Sequence, residues 1–420
     1  QLPNSIEAVA ICLAANRIGA VHNPIVTIYR DREVSFIRNE AASATFIDRR
    51  DDDLFQLAAR RDTIAVAPVE PDAPRFLVYT SGSTSSPKGV LHSDRTLTAE
   101  CAAQAAYHRL TELEVFVMAG SVGHVSGLIY GVLLPIWLGA TTVLMSSWDP
   151  DRFLALVDAE GGTFSGGAPA FLQGLVEHPN LARFDLSSLR AFPCGGADVA
   201  PDLMRNAADL LGVRTGRGYG STEFPSITSS AGFGETDATR AQTDGRPIGD
   251  NEVRIVDGEI QARGPELFLG YRDSALDAEA FTPDGWFRTG DLGVLDAAGY
   301  LRVTGRLKDI VVRNGEKVSA RELENLLAQH PKVATVAVIA LPDPRTGERV
   351  CACVVAMDPQ DEPTLAELAA FLTDLGLSRR KLPEHLELVS TLPMTAGGKT
   401  DKQALRARYR QPHSGGRLSR

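Results

Sequence analysis

The chain has 420 residues, which suggests two or three domains at about 150 residues per domain. Its 44% hydrophobic and 23% charged residues are ordinary for a soluble globular enzyme. The net charge of −10 at pH 7 argues against a general nucleic-acid or anionic-membrane partner, because the field of the whole protein would repel both.

Five cysteines lie at positions 12, 101, 194, 351 and 353, and no two have CxxC spacing. The odd count and wide scatter favour free thiols in a reducing cytoplasm. Cys351 and Cys353 alternate within an apolar run, so they are expected to share one face of a strand.

Residues 127–145 contain no charge over nineteen positions, close to the length of a membrane helix. Pro135 and Gly139 interrupt this stretch, and the residues after Gly139 are rich in β-branched side chains. We therefore expect a buried helix, a glycine stop and a buried strand, and no membrane span. The chain opens on Gln1 and not on methionine, which suggests that an N-terminal part is missing.

Helical and strand patterns alternate through residue 215, which predicts an α/β fold with largely parallel sheets. From about residue 250, short alternating strands with Gly and Asp turns predict a small β-rich subdomain. The first helix is expected to bury one apolar stripe, made of Ile6, Val9, Ala10 and Leu13. These patterns predict a large N-terminal domain of layered α/β subdomains plus the β-rich subdomain.

A second compact α+β unit is expected after Arg306. Two helices in it are predicted to begin at capping boxes, formed by Ser319 with Glu322 and by Thr364 with Glu367. Two buried strands between these helices and a third strand, "HLELVS", complete a unit of ordinary domain size.

The predicted boundaries follow from this pattern. The large domain is expected to span 1–306, and the small, mobile C-terminal domain 309–408, with a charged hinge at 307–308. From Lys399 to Arg420, seven basic residues stand against one acid. We expect most of that stretch to be solvated, with a disordered tail at 409–420.

The segment "YTSGSTSSPKG", residues 79–89, follows an apolar strand and precedes a predicted helix. Gly82 and the hydroxyl residues permit a tight loop whose backbone N–H groups converge on an anion, and Lys88 adds a positive charge. The stretch therefore favours a polyphosphate site over a plain surface loop. It is not a Walker A loop, because Pro87 stands where that motif needs glycine.

"GYGSTE", residues 218–223, combines an aromatic ring with hydroxyls and a carboxylate. Tyr219 could stack on a base, Thr222 could bond a phosphate and Glu223 could hold Mg²⁺, although a strand-end turn explains the six residues nearly as well. Asp291 in "GWFRTGDLG" could accept two ribose hydroxyls or form an ordinary Asx turn.

Two further segments are ambiguous taken alone. His124 in "SVGHVSG" is as consistent with a packed histidine as with a site residue. Lys399 in "PMTAGGKT" follows two glycines, so a flexible loop could present its cation to a distant partner, but an exposed loop lysine explains it equally.

In chain order, these segments together with "PCGGADV" and "GRLKDIVVRNGEKVSARELE" resemble the core motifs of the adenylate-forming superfamily. That superfamily comprises acyl-CoA synthetases, adenylation domains of peptide synthetases and luciferases. The resemblance runs from Gln1 to about Arg408 and is greatest to fatty-acyl and cyclohexanecarboxylate-type CoA ligases. The family usually has further residues before the point at which this chain begins.

The resemblance implies a site for ATP. The loop for its β- and γ-phosphates would contain Thr80, Ser81, Gly82, Ser83, Thr84 and Lys88. The adenine side of the nucleotide site would contain Gly195, Gly196, Ala197, Tyr219 and Gly220. The ribose hydroxyls would be held by Asp291 and Arg306.

The resemblance also implies catalytic roles. Thr222 and Glu223 would serve the α-phosphate and Mg²⁺, with Glu223 as the metal ligand. Lys399 would bridge the carboxylate and the α-phosphate as they react. The resemblance also implies a catalytic role for His124.

Lys308 would be the hinge about which the small domain rotates. Rotation would remove Lys399 from the site and bring in a face containing Gly315 and Lys317, on which thioester formation would follow. Two steps at one site need different groups, which accounts for a reactive lysine on a separate domain.

The substrates implied are ATP with Mg²⁺, CoA and a small hydrophobic carboxylic acid. Small residues flank His124, and no acidic residue there is evident to bind an amino group. A stand-alone enzyme that loads a carrier-protein thiol is the alternative, and a non-catalytic nucleotide-binding paralogue is the second. We expect a cytoplasmic protein with no nucleic-acid partner, and a homodimer is considered.

Overall fold

The structure, a computed structural model, describes residues 1–48, 65–80, 87–197, 199–313, 316–394 and 400–410. Contacts between Cα atoms divide the chain into two compact units. Unit 1 is Gln1–Arg254, Gln261–Thr289 and Leu295–Arg302. Unit 2 is Ile255–Ile260, Gly290–Val294 and Val303–Arg420.

Capping residues set the ends of helices in unit 1. The helix Pro150–Glu160 shows this, because Asp149 accepts a hydrogen bond from the Arg152 N–H over 2.9 Å and Gly161 ends the helix with a φ of 63°. The helices are α1 (Ile6–Arg17), α2 (Asp31–Glu40), α3 (Asp94–His108), α4 (Val125–Leu128), α5 (Leu134–Leu138), α6 (Pro150–Glu160), α7 (Pro169–Val176), α8 (Pro201–Leu211), α9 (Asp237–Gln242) and α10 (Asp277–Ala280).

The strands up to Arg306 form several sheets. They are β1 (Pro74–Thr80), β2 (Lys88–Ser93), β3 (Val115–Met118), β4 (Thr141–Leu144), β5 (Ala191–Gly195), β6 (Arg214–Tyr219), β7 (Thr228–Ser229), β8 (Arg246–Pro247), β9 (Glu252–Val256), β10 (Glu259–Arg263), β11 (Gly270–Tyr271), β12 (Phe287–Leu295) and β13 (Leu301–Arg306). The strand orders are β1-β2-β11, β3-β4, β5-β6-β7-β8 and β13-β12-β10-β9.

The pairing in these sheets is mixed. β3 pairs with β4 and β5 with β6 in parallel, whereas β2 pairs with β1 and β11 in antiparallel fashion. The helices and strands confirm the predicted α/β class, but the expectation of largely parallel sheets was too strong. The sheet of β9, β10, β12 and β13 is the β-rich part predicted from residue 250 onward.

The first helix is present, but the predicted buried stripe is mostly wrong, because of its four residues only Val9 packs against the core. Ile6 is 82% exposed and Leu13 is 43% exposed, whereas Ala8 and Cys12 are buried in a core cluster with Phe76. The small side chains of Ala8 and Cys12 permit close packing on that cluster, so tertiary contact overrides the periodicity of the larger apolar residues.

The uncharged stretch 127–145 folds as a helix, a stop and a strand. A π-helical turn, Ile129–Leu133, joins α4 to α5, and Gly139 ends α5 with a φ of 73°. The strand β4 that follows is partly exposed and not buried as expected, because it pairs with one neighbour, β3. Among the residues described, no helix combines the length and apolarity that crossing a membrane requires.

Unit 2 has the predicted α+β content. Its further elements are β14 (Ile310–Arg313), β15 (Glu316–Ser319), α11 (Ala320–Leu327), β16 (Val333–Asp343), β17 (Gly347–Ala356), α12 (Leu365–Asp374), β18 (His385–Leu388) and α13 (Lys402–Arg410). The strands follow the order β15-β14-β17-β16, and β18 pairs with β17 in parallel.

One of the two predicted capping boxes is complete. Thr364 and Glu367 exchange both hydrogen bonds at the start of α12. Ser319 accepts from the Glu322 N–H over 3.3 Å at the start of α11, but the Glu322 carboxylate instead pairs with Lys381 at 2.7 Å. The second box is therefore only half formed.

The helix α13 was not predicted from the sequence. It lies within the basic stretch after Lys399, and its Leu405 is fully buried against residues of β16 and β17. The helix ends at Arg410, one residue beyond the position where the tail was expected to begin.

All five cysteines are free and buried. Cys12, Cys101 and Cys194 belong to unit 1, and burial raises the pKa of Cys12 and of Cys194 to about 12. Cys351 and Cys353 lie on one face of β17 as predicted, with their Sγ atoms 4.0 Å apart.

Two carboxyl groups face each other in the core of unit 1. Glu100 and Glu266 are 0% and 1% exposed. Ser226 donates to Glu100 over 2.6 Å, and the Asn251 amide donates to Glu266 over 2.8 Å. Burial first, and Glu100 next, raise the pKa of Glu266 to about 10, so Glu266 is protonated at neutral pH.

Candidate active site

In unit 1, the predicted phosphate loop joins two paired strands. Thr80 ends β1 and lies opposite Lys88, the first residue of β2, in an antiparallel register. The other predicted loop residues, Ser81, Gly82, Ser83 and Thr84, lie outside the described residues.

Lys88 contacts a tyrosine that connects it to the predicted metal ligand. Its Nζ lies 5.0 Å from the centre of the Tyr271 ring, within the range of a cation–π interaction. The Tyr271 hydroxyl donates a hydrogen bond to Oε1 of Glu223 over 2.8 Å. The structure thus brings Lys88 to the ring face of Tyr271 and Glu223 to its hydroxyl.

The "GYGSTE" segment folds back on itself after β6. The Ser221 N–H donates to the Phe224 carbonyl over 2.9 Å, and a Cβ on Gly220 would lie 2.0 Å from the Pro225 oxygen. Only glycine fits this turn, and the turn sets the position of Thr222 and Glu223.

A buried histidine fixes the backbone of this segment. Nε2 of His92 lies 2.8 Å from the Thr222 carbonyl, and Nδ1 lies 3.0 Å from Oγ1 of Thr96. Because a carbonyl oxygen can only accept, Nε2 carries the proton. Burial lowers the pKa of His92 to about 4, so the ring is neutral at pH 7. Its hydrogen bond to the Thr222 carbonyl holds this backbone in place.

The predicted adenine-side residues lie at the carboxyl ends of two parallel strands. Gly195 ends β5 and lies opposite Gly218 of β6, and Tyr219 ends β6. A Cβ on Gly195 would lie 2.6 Å from the Gly218 oxygen, so this strand end also needs glycine. Gly196 turns the chain with a φ of 80°, and Ala197 after it is exposed. Strand ends of this kind are where open α/β sheets bind ligands.

His124 is half-buried at the start of α4, where its carbonyl accepts from the Leu128 N–H over 2.8 Å. The loop before it is held by Asn4, whose amide donates to the Gly120 carbonyl over 2.8 Å and whose oxygen accepts from the Val122 N–H over 2.9 Å. Asn4 is buried and positions this loop.

Unit 2 contains the two predicted ribose ligands. Asp291 lies on β12, and Arg306 is the last residue of β13. Nε of Arg306 lies 2.9 Å from Oδ1 of Asp291, whose side chain is 13% exposed. The two residues therefore form an ion pair.

The remaining predicted residues also belong to unit 2. Lys308 lies in a single 3₁₀ turn, Leu307–Asp309, and Lys317 lies in β15 with its backbone opposite Val312. Gly315 and Lys399 lie outside the described residues.

Three residues that support the candidate site were not predicted from the sequence: His92, Tyr271 and Asn4. Their local signals are weak, because each is a single polar side chain within or beside an apolar run. His92 is the clearest of them in hindsight, since it is a polar residue in the strand that begins at Lys88.

Two family models match the chain. The model described as "AMP-binding enzyme" matches residues 1–272, and that described as "AMP-binding enzyme C-terminal domain" matches residues 322–399.

Several known proteins are similar along nearly the whole chain. A medium-chain fatty-acid–CoA ligase of Escherichia coli is 33% identical, over 97% of this chain and 80% of the ligase. A feruloyl-CoA synthase of Amycolatopsis is 35% identical, over 84% of this chain and 74% of the synthase. The crystal structure of ATP-bound MatB from Rhodopseudomonas palustris superposes with a TM-score of 0.88 at 26% identity, over 98% of this chain and 88% of that one. The chain belongs to the AMP-binding enzyme family.

Proposed function

We propose that the chain is an ATP-dependent carboxylic acid–CoA ligase that works through an acyl-adenylate. The observation that carries the proposal is the arrangement of Lys88, Tyr271 and Glu223 within unit 1. It joins a cation suited to phosphate to a carboxylate suited to a divalent metal, in a chain that matches both family models. The similar proteins named as CoA ligases support the choice of acceptor.

The first half-reaction forms the adenylate. A carboxylate oxygen of the acid attacks the α-phosphorus of ATP, and the bond to the leaving pyrophosphate breaks. Lys88 and the loop from Thr80 to Thr84 bind the β- and γ-phosphates, and Thr222 binds the α-phosphate. Lys399 contacts the carboxylate and the α-phosphate and stabilises the charge that develops.

The nucleoside is held by two groups of residues. Gly195, Gly196, Ala197, Tyr219 and Gly220 bind the adenine side. Asp291 and Arg306 bind the ribose, because the carboxylate accepts from the hydroxyls while the guanidinium keeps it charged and oriented. His124, at the start of α4, is assigned to the catalytic residues on the resemblance.

Mg²⁺ fits the residues present. No group of three or more His, Cys, Asp or Glu side chains suited to a metal occurs among the described residues. One carboxylate, Glu223, is enough when the nucleotide supplies the other oxygens, as Mg²⁺ commonly requires. Bound Mg²⁺ would neutralise phosphate charge, and Tyr271 keeps the Glu223 carboxylate in one orientation for it.

The second half-reaction transfers the acyl group. The thiol sulfur of CoA attacks the acyl carbon, and AMP leaves. We infer that residues 309–408 rotate as a domain about Lys308 relative to 1–306, so that Lys399 leaves and the face with Gly315 and Lys317 enters. ATP and CoA as substrates favour a cytoplasmic location.

The acid is proposed to be small and hydrophobic. The test is a panel that includes octanoate, ferulate and benzoate. We expect acid-dependent exchange of labelled pyrophosphate into ATP, and an acyl-CoA detectable by mass spectrometry when CoA is added. Exchange without acyl-CoA would shift the proposal to a carrier-protein acceptor. No exchange with any acid would contradict the proposed function.

A further inference from the structure

Unit 2 contains four charged side chains that join the predicted hinge to the helix α13. We call this group the hinge cluster; it consists of Asp309, Glu324, Lys402 and Arg406. Nη2 of Arg406 lies 2.7 Å from Oδ1 of Asp309, and Nζ of Lys402 lies 3.8 Å from Oδ2 of the same carboxylate. Nζ of Lys402 also lies 2.7 Å from Oε1 of Glu324.

The hinge cluster is shielded from solvent, since its four side chains are 17–20% exposed. Charges in such surroundings attract each other more strongly than charges on the open surface. Burial raises the pKa of the Asp309 carboxyl, but Lys402 and Arg406 outweigh that effect and bring the pKa below its usual value. Asp309 is therefore ionised at neutral pH.

The two ends of the hinge cluster belong to two functionally distinct segments. Asp309 closes the 3₁₀ turn that contains Lys308. Lys402 and Arg406 are one helical turn apart on α13, which explains why both reach the same carboxylate.

The chain just before α13 is fixed at its base. Met394 pairs with Thr400 in an antiparallel bridge, and the Asp401 N–H donates to the Pro393 carbonyl over 2.7 Å. Lys399 precedes Thr400 in the chain and lies outside the described residues. The bridge therefore links α13 to Met394, on the other side of Lys399 in the sequence.

From this geometry we propose that Asp309 is a positioning residue for adenylation. It ties the hinge turn to α13 through Arg406 and Lys402, so that α13, which begins three residues after Lys399 in the chain, stays attached to the hinge turn during the first half-reaction. The inference rests on the proposed function for the role of Lys399. Asp309 itself does not touch the reacting atoms.

The test compares Asp309→Asn and Arg406→Gln with the wild type in each half-reaction. We expect pyrophosphate exchange to fall about tenfold or more in kcat, with KM for ATP changed less than about threefold, because nucleotide-binding residues are untouched. Thioester formation from synthetic acyl-adenylate and CoA should stay within about threefold of wild type, since that step does not use Lys399. Asp309→Glu should recover part of the exchange.

A matched control in the same unit is Lys332→Met, whose partner Asp361 is 64% exposed at 2.6 Å. It should leave both half-reactions unchanged. Equal loss of both half-reactions in Asp309→Asn would mean a merely structural role, and no loss in either would also overturn the proposal.

Amide hydrogen exchange gives a readout that needs no activity. Exchange at residues 402–406 should rise several-fold in Asp309→Asn and in Arg406→Gln, but not in Lys332→Met. Unchanged amide hydrogen exchange at 402–406 would contradict the proposed link between Asp309 and α13, even if the wild type lacked ligase activity. Absent activity in the wild type would instead contradict the proposed function alone.

Discussion

The Tyr271 hydroxyl donates a hydrogen bond to Oε1 of Glu223 over 2.8 Å, while the ring of the same tyrosine receives Nζ of Lys88 at 5.0 Å. One side chain thus contacts both Lys88, which we propose binds phosphate, and Glu223, which we propose binds Mg²⁺. The two interactions can be separated, because phenylalanine keeps the ring and loses the hydroxyl.

Tyr271→Phe is therefore expected to weaken the response to Mg²⁺ more than the response to ATP. The Glu223 carboxylate loses a donor that orients it, a charge-assisted hydrogen bond of roughly 1.5–3 kcal/mol, so an Mg²⁺ concentration about tenfold higher or more should be needed for half-maximal pyrophosphate exchange. Tyr300→Phe is the control, because Tyr300 donates to Glu235 in the same unit at 2.6 Å. Equal Mg²⁺ dependence in the two variants would contradict the role assigned to Tyr271.

Asp291→Asn should weaken nucleotide binding about tenfold or more. An amide replaces the carboxylate that accepts from the ribose hydroxyls, and charge-assisted hydrogen bonds contribute roughly 1.5–3 kcal/mol. Calorimetric titration with AMP measures the change directly. Asp284→Asn, which removes a surface partner of Arg254, is the matched control. AMP affinity close to wild type in Asp291→Asn would remove Asp291 from the site.

Lys399→Ala should abolish most adenylation and leave the second half-reaction. Loss of one group that stabilises developing charge costs on the order of 100- to 1,000-fold in rate. Pyrophosphate exchange measures the first step, and thioester formation from synthetic acyl-adenylate measures the second. Lys332→Ala controls for removal of a lysine from unit 2. If both steps vanished in Lys399→Ala, the two-conformation account would be wrong.

Glu266→Gln should stabilise the protein, and increasingly so as pH rises. The pKa of Glu266 is about 10 in the folded chain and about 4.3 for a free glutamate, so the wild type loses folding stability as pH rises between these values. The slope is at most about 1.4 kcal/mol per pH unit. Glutamine keeps the shape, can donate to Glu100 and cannot ionise. The charge of Asp250 raises the pKa of Glu266 further.

Urea unfolding at pH 5, 7 and 9 measures this difference. The free energy of unfolding of Glu266→Gln should exceed that of the wild type by a margin that grows with pH. Glu252→Gln, at a surface ion pair with Arg263, should run parallel to the wild type. A pH-independent margin for Glu266→Gln would show that the pKa of Glu266 is not raised in the folded chain.

The elements that the sequence predicts well are those with strong local signals. Thr364 and Glu367 form their capping box because both partners lie within one turn. The strands on either side of the "PDPRTGE" turn, β16 and β17, were predicted because both are long apolar runs.

What the sequence does not predict depends on contacts between distant segments. Four of the nine residues of α13 are charged and one, Leu405, is fully buried, so apolar periodicity gives little helix signal. Glu322 leaves its capping role because Lys381, 59 residues later, competes for it. His92 and Tyr271 acquire their roles from Thr222 and Glu223, which lie far away in the chain.

The burial of all five cysteines makes the native thiols reporters of local opening. Cys12, Cys101 and Cys194 report on unit 1, and Cys351 and Cys353 report on unit 2. A thiol-specific alkylating reagent should modify each group at the rate at which its unit opens. Peptide mass spectrometry of the alkylated sites would then rank the opening rates of the two units in a single sample, with no introduced label.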